Sequence, residues 1–477
     1  MDLNYLSAEN MLSAFRERTL SPVEVLDSLV ARVAKSDRVN AVAEEMFDTA
    51  YDAARTAEAR YAGRGPEPRA LEGVPVAIKE EMPMAGRPWR FGSLLTDGNV
   101  ADHTEPMVGR LAAAGAVLHL RTTTPEFSVA VTTHSELWGV TRNPWNLELS
   151  PGGSSGGSGA ALAAGLTPLA TGSDIAGSIR VPSALCGVVG FRPPYGRVPS
   201  LPPLNLDTYC QNGPMARTVT DCALFNNVIA GPDLADHASV SSAPPLPLEF
   251  GSCAGLKVAL AVTVGDYPVV PEAEVNLEVF ANALRDAGAI VTPVVIPITR
   301  QEIMATAMAH YGLILVPSLL KVAAADDPRW SPDVLDVMQT SQAALEAVGA
   351  LHVAEEEARI QSVLAGIFEQ HDALICPTMA TAGYAADATR VEPVELGGGV
   401  SFDNLVSQCL TQIFNIASRH PVLNVPSGRA SNGLPTGVQI VARPFDDLTV
   451  FRLGSAAEAR LGFWNDPAWR PEQTVNV

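Results

Sequence analysis

A lysine and two serines carry the first chemical signal in this chain. Ser154 and Ser178 stand 24 residues apart, each inside a glycine-rich run, Ser150-Pro-Gly-Gly-Ser-Ser-Gly-Gly-Ser-Gly159 and Gly172-Ser-Asp-Ile-Ala-Gly-Ser-Ile-Arg180. Glycine costs conformational entropy and adds no packing, so its recurrence beside hydroxyls points to backbone amides that approach a ligand closely. Lys79 closes the apolar run Val74-Pro-Val-Ala-Ile78 and is one of only four lysines, with Lys35, Lys257 and Lys321. A serine attacks a carbonyl once a base removes its proton, and lysine can be that base when neutral. An unperturbed lysine, with a pKa of about 10.4, is neutral in roughly one molecule in a few thousand at pH 7. Burial can lower that pKa by about 3 to 5 units. Lys79 is therefore expected to be buried, and Glu80 and Glu81, which would oppose the effect by facing the amine, are expected to point elsewhere.

Other chemistries compete for the same residues. A phosphate cradle ahead of a helix over residues 160–164 would use the glycines, but the Gly-Lys-[Ser/Thr] ending of a nucleotide loop is missing. Gly152-Gly-Ser-Ser-Gly156 and Gly153-Ser-Ser-Gly-Gly157 match a nucleophile elbow. The preceding Asn143-Pro-Trp-Asn-Leu-Glu-Leu-Ser-Pro151 is no apolar strand, however, and His310, His352, His371 and His420 sit in no motif. A glycine-rich loop that merely turns a corner accounts for each run singly. The Ser-Lys reading accounts for Lys79, Ser154 and Ser178 together.

The elements that would position these residues alternate in type. Ser21-Pro-Val-Glu24 is a capping box with proline at the first helical position, followed by a stripe of Val25, Leu26, Leu29, Val30 and Val33. Strands are expected at 71–80, 116–120, 167–171, 187–191, 257–262, 289–295, 372–378 and 435–442. A helix capped by Thr218 is expected over 222–230, and one long helix over 341–369. The alternation predicts an α/β fold. A polar, proline-rich stretch, 235–255, reads as a surface linker.

At 477 residues and 47% hydrophobic, the chain can bury one large core or two ordinary ones. A net charge of −20 opposes binding to a phosphate backbone, so no nucleic acid partner is expected. No run approaches the roughly 20 uninterrupted apolar residues of a bilayer span. The start, Met1-Asp-Leu-Asn, does not read as a signal peptide. Cys186, Cys210, Cys222, Cys253, Cys376 and Cys409 are scattered without metal-ligand spacing. A cytoplasmic protein with reduced, buried thiols and no membrane attachment is the expectation.

With these motifs in hand, the chain resembles the amidase signature family, serine amidohydrolases with a Ser-cisSer-Lys triad. The resemblance runs from Ser21 to Gly433-Leu-Pro-Thr-Gly-Val-Gln-Ile-Val-Ala-Arg-Pro-Phe445 and is strongest at Gly73-Val-Pro-Val-Ala-Ile-Lys79, at 151–159 and at 172–192. It implies that Ser178 is the nucleophile, Lys79 the base and Ser154 the relay, with a cis peptide at Gly153-Ser154. It also places an oxyanion hole on the N–H groups of Ile175, Ala176, Gly177 and Ser178. Ser155 and Ser173 resemble positions that hydrogen-bond the lysine and the serines, with a helix cap and a turn as alternatives. Asp174 and Arg180 are expected as a buried ion pair that orients the loop or simply anchors the structure. Two departures stand out: Ala176 where the family usually has glycine, and Glu80 where aspartate is common.

The implied fold is a large mixed, mostly parallel twisted sheet covered by helices on both faces. A single amidase domain is expected over 1–477, divided into N-terminal helices (1–65), signature core (66–232), linker (233–256), a variable substrate-shaping region (257–414) and C-terminal strands and a helix returning to the core (415–477). The implied activity is hydrolysis of carboxylic amide C–N bonds through a Ser178 acyl-enzyme, with no metal and no cofactor. The substrate is expected to be a small-molecule aryl or acyl amide, anilide or hydrazide, and the assembly a homodimer. Residues 310–320, Met338 and 375–384 are expected to shape the acyl pocket, with Met82, Met84, Trp89 and Trp138 as further apolar candidates. The alternatives are a glutaminase subunit of a tRNA-dependent amidotransferase complex and a non-catalytic binding protein on the same fold.

Overall fold

The computed structural model describes residues 2–391, 393–397 and 400–471. Met1 and residues 472–477, which belong to the expected first and last segments, lie outside the described residues.

Eleven strands form one sheet: β1 (Val42–Glu45), β2 (Pro75–Lys79), β3 (Val117–Thr122), β4 (Leu169–Asp174), β5 (Val189–Arg192), β6 (Gln211–Ala216), β7 (Lys257–Leu260), β8 (Ile290–Pro293), β9 (Ala373–Pro377), β10 (Val422–Arg429) and β11 (Pro435–Ala442). Their spatial order is β1-β3-β2-β4-β6-β5-β10-β11-β9-β7-β8. The sheet is mixed. β2 runs parallel to both β3 and β4, and β7 runs parallel to β8 and β9. The centre, β4-β6-β5-β10-β11-β9, is antiparallel throughout. Strands from both sides of the 233–256 stretch thus share one sheet.

Burial explains the strand sequences. β2, β4, β9 and β11 are buried along their whole length, and a strand covered on both faces carries a continuous run rather than an alternation. The largest apolar cluster joins Val76, Ile78, Leu120, Leu162, Leu169, Phe191, Phe225, Phe280 and Ile440. The first helix after Ser21 has the expected capping box, with Ser21 and Glu24 bonding each other's backbone N–H.

Two expectations about elements are corrected. The long helix over 341–369 is two helices, Pro332–Val348 and Ala350–Phe368, because Gly349 adopts φ 80° and breaks the ladder. β1, β6 and β10 were not placed in advance: Gln211, Asn212, Gly213 and Pro214 are of types uncommon in strands, yet all four lie in a buried strand. By length and composition Arg300–Leu319 is apolar enough to cross a membrane. Here it is broken at Ile314 into Arg300–Leu313 and Leu315–Leu319, and half of it is buried inside the protein.

Candidate active site

The parallel neighbours β2 and β4 end on the same side of the sheet, which brings Lys79 beside Ser173 and Asp174. The Lys79 N–H donates to Thr171 Oγ1 at 2.8 Å, fixing the end of β2 against β4. The glycine-rich run crosses above these ends. Its Gly153–Ser154 peptide is cis, and it leads into the helix Gly156–Ala163. That helix lies so close to β3 that a Cβ on Gly157 would meet the Thr123 carbonyl oxygen at 2.4 Å. The close approach explains a glycine there without any appeal to flexibility.

Lys79 is fully buried, and its Nζ donates to Ser154 Oγ at 2.7 Å and to Ser173 Oγ at 2.9 Å. Ser155 does not reach the lysine. Its Oγ bonds the backbone of Ser173, and its N–H donates to the Ser178 carbonyl at 3.2 Å, so it ties the two serine runs together. Ser154, Ser173, Ile175, Ala176 and Ser178 line a common cavity.

One expectation about charge is overturned. Glu80 does point elsewhere, toward Arg121 and the Arg90 N–H, and burial pushes its carboxyl up to about 7. Glu81 turns inward, with Oε2 at 3.1 Å from Lys79 Nζ and only 2% of its side chain exposed. The strand ends at Lys79, and a turn closed by the Met82 N–H on the Lys79 carbonyl at 3.0 Å carries Glu80 and Glu81 and folds Glu81 back toward the amine. Burial lowers the Lys79 pKa and outweighs Glu81, which raises it.

Asp174 and Arg180 form the expected buried pair, each at 0% side-chain exposure. Arg180 also donates to Gln439 Oε1 and Asn415 Oδ1, both at 2.6 Å. Burial alone would raise the Asp174 carboxyl, but Arg180, Arg192 and Asn415 hold it well below the usual carboxylate range. Asp174 Oδ1 accepts the Gly177 N–H at 2.8 Å. That bond takes Gly177 out of the expected set of oxyanion donors. The N–H groups of Ile175, Ala176 and Ser178 carry no backbone hydrogen bond among the described residues. Gly177 has φ 118°, and a Cβ there would sit 2.3 Å from Thr411 Oγ1, so the site demands glycine.

Much of the cavity wall is apolar, formed by Phe91, Phe127, Leu204, Met308, Leu315 and Val337, with Glu81 and Arg390 also lining it. Tyr311 and Leu315 come from the 310–320 stretch expected to shape the pocket, and Met308 lies just before it. Met338 packs instead with Trp330 and Val334 in a small core cluster, and Met82 lies in the main core. His310 faces away, bonded to Asp207 and Glu357 at 2.9 Å each and stacked on Tyr209. Phe91, Phe127 and Ser128 were missed by the sequence reading. All three are non-glycine residues in the left-handed region, with φ of 52°, 47° and 60°, which sequence patterns do not signal. Their backbone turns the Phe91 and Phe127 rings into a stack at 5.7 Å and delivers Ser128 Oγ to Glu81 Oε2.

Comparison with known proteins gives a consistent result. The model of the Amidase family matches residues 24–451. The chain is 33% identical to an acylamidase of Rhodococcus erythropolis over 467 residues, 96% of each chain. It is also 33% identical to a glutamyl-tRNA(Gln) amidotransferase subunit of Roseiflexus sp. (strain RS-1) over 490 residues, 97% of this chain and 98% of that one. Among solved structures, a bacterial aryl acylamidase of the amidase signature family superposes with a TM-score of 0.88 at 27% identity, covering 98% of this chain and 99% of that one.

Proposed function

The chain belongs to the amidase family, a hydrolase acting on amide C–N bonds, and on that premise we propose that Ser178 carries the acyl group, Ser154 relays protons and Lys79 is the base. The observation that carries this reading is the sealed Lys79 amine, 2.7 Å from Ser154 Oγ, in a site whose cavity also exposes Ser178. Ser178 Oγ attacks the amide carbonyl while its proton passes to Ser154 and the Ser154 proton to Lys79. The N–H groups of Ile175, Ala176 and Ser178 receive the developing negative oxygen. The proton then returns by the same route to the departing amine, and water cleaves the ester by repeating the sequence. Asp174 and Arg180 hold the loop without touching substrate.

The apolar wall and the Phe91–Phe127 stack favour an amide with an aryl or medium-chain apolar group, acting as a small-molecule substrate without a second type of subunit. Purified protein is to be treated with a fluorophosphonate, which labels an activated serine, and assayed with aliphatic amides, anilides, hydrazides and glutamine. Labelling at Ser178 with turnover of apolar amides by the protein alone supports the reading. Turnover of glutamine only, or only after a partner is added, replaces it with the amidotransferase reading; no labelling rejects it.

A further inference from the structure

The Lys79–Glu81 pair poses a chemical problem for the proposed base. A carboxylate 3.1 Å from an amine favours its ammonium form, and an ammonium cannot accept a proton. We propose that Lys79 and Glu81 share a single proton, and that in the attacking state this proton sits on Glu81, leaving the amine neutral without any loss of a proton to solvent. The proposal rests on Lys79 being the base of the reaction.

Three features of the pair support it. Lys79 is fully buried and Glu81 nearly so, and separated charges in a low-dielectric interior gain little over a neutral acid and amine. Glu81 Oε1 is buried with no hydrogen-bond partner among the described residues, which costs more for a carboxylate than for the carbonyl oxygen of an acid. Glu81 Oε2 also has a second polar neighbour able to take its proton. Ser128 Oγ bonds it, and Thr124 Oγ1 lies 2.9 Å behind Ser128 Oγ. Hydroxyl hydrogens rotate, so the chain works in either polarity. With Glu81 ionised, Ser128 donates to Oε2; with Glu81 protonated, Oε2 donates to Ser128 and Ser128 donates to Thr124.

The proton count closes. Neutral Lys79 directs its two N–H bonds to Ser173 Oγ and Glu81 Oε2 and its lone pair to the Ser154 hydroxyl. On attack the Ser178 Oγ–carbon bond forms, the Ser178 proton moves to Ser154 and the Ser154 proton moves to Lys79 Nζ. On collapse the Lys79 proton returns to Ser154, the Ser154 proton goes to the leaving nitrogen and the C–N bond breaks. Glu81 keeps its proton through both steps and is a positioning residue. The other ionisable groups near the pair do not take over this role. Asp174 is neutralised by Arg180 and Arg192, and burial keeps the Cys210 thiol protonated. Glu105 is bonded to Ser200 and Asn212, and Arg390 is paired with Asp336.

The sign of one shift decides the matter. In the wild type only a second proton on the pair silences the amine, so activity persists to low pH. In Glu81→Gln the amine again has an uncharged neighbour, so the acid limb of kcat/KM stays within about half a pH unit of its wild-type position or moves to higher pH. If Glu81 instead stays ionised throughout, its removal eases deprotonation and the limb moves to lower pH. The profiles are to be measured with a hexanoyl nitroanilide and, in parallel, as the rate of fluorophosphonate labelling at Ser178, with thermal melts as a check on folding. A limb that moves to lower pH by about one pH unit or more overturns the proposal. Wild-type protein that is not labelled at Ser178 at any pH overturns the assignment of Ser178 along with this proposal; labelling with the Glu81→Gln limb moved to lower pH overturns this proposal alone.

Discussion

Arg180 Nε and Nη2 reach the two carboxylate oxygens of Asp174 at 2.9 Å each, with neither side chain exposed. Asp174 also accepts the N–H groups of Gly177 and Ile179, so one carboxylate holds both the arginine and the loop that carries Ser178. Removing it leaves Arg180 as an uncompensated buried charge. Asp174→Ala is expected to cost about 3 to 5 kcal/mol of stability, read by chemical denaturation. Because the folded pKa of Asp174 is depressed, its contribution is complete above the ordinary carboxylate range and is lost only as pH falls below about 4.

Lys79→Ala and Ser154→Ala are each expected to lower kcat by about 10² to 10⁴, the usual worth of general acid–base groups. Turnover of an anilide checks this, with a melt to separate the loss from unfolding, since Lys79→Ala leaves Glu81 without its partner. A loss of less than tenfold in either variant removes that residue from the relay.

Gly177→Ala tests the loop through geometry alone. The new Cβ would lie 2.3 Å from Thr411 Oγ1 on a backbone at φ 118°, so the loop must shift and carry the neighbouring N–H groups with it. A fall in kcat of about 10² to 10³ is expected, the worth of one misplaced oxyanion donor. KM for apolar substrates should change far less, because the acyl wall lies on other segments. Steady-state kinetics separates the two quantities.

His310 predicts a dependence of stability on alkaline pH. Burial disfavours its charge, yet the bonds to Asp207 and Glu357 raise its pKa to about 9, against about 6.5 when unfolded. A group with a raised folded pKa contributes fully below about pH 6.5 and loses that contribution as pH rises through 9. The loss is on the order of 3 kcal/mol. Urea unfolding at pH 6 and pH 9.5 should show it, and His310→Gln should flatten the difference; equal slopes in both proteins would rule it out.

Much of the site was legible because its residues carry local signatures. Lys79 closes an apolar run, and the glycines of 150–159 and 172–180 are demanded by close contacts such as Gly157 against Thr123 and Gly177 against Thr411. β11 was legible to the residue, being rich in β-branched side chains and buried on both faces. β6 and β10 were not, since their polar residues are buried by partners distant in sequence: Asn212 donates to Glu105, and Asn424 accepts from Thr378. The orientation of Glu81 was not legible, because the residue sits in the turn just past β2 and not in extended chain. Phe91, Phe127 and Ser128 were out of reach, since their left-handed backbone is imposed by tertiary contacts.

The grip on Arg180 by Asn415 and Gln439, 235 and 259 positions further along, has a consequence for how the protein comes into being. A ribosome that has released the first four hundred residues has made every group that handles the proton, but not the clasp that holds the nucleophile's loop in shape. Catalytic competence therefore arrives late in synthesis, with β10 and β11 closing the middle of the sheet.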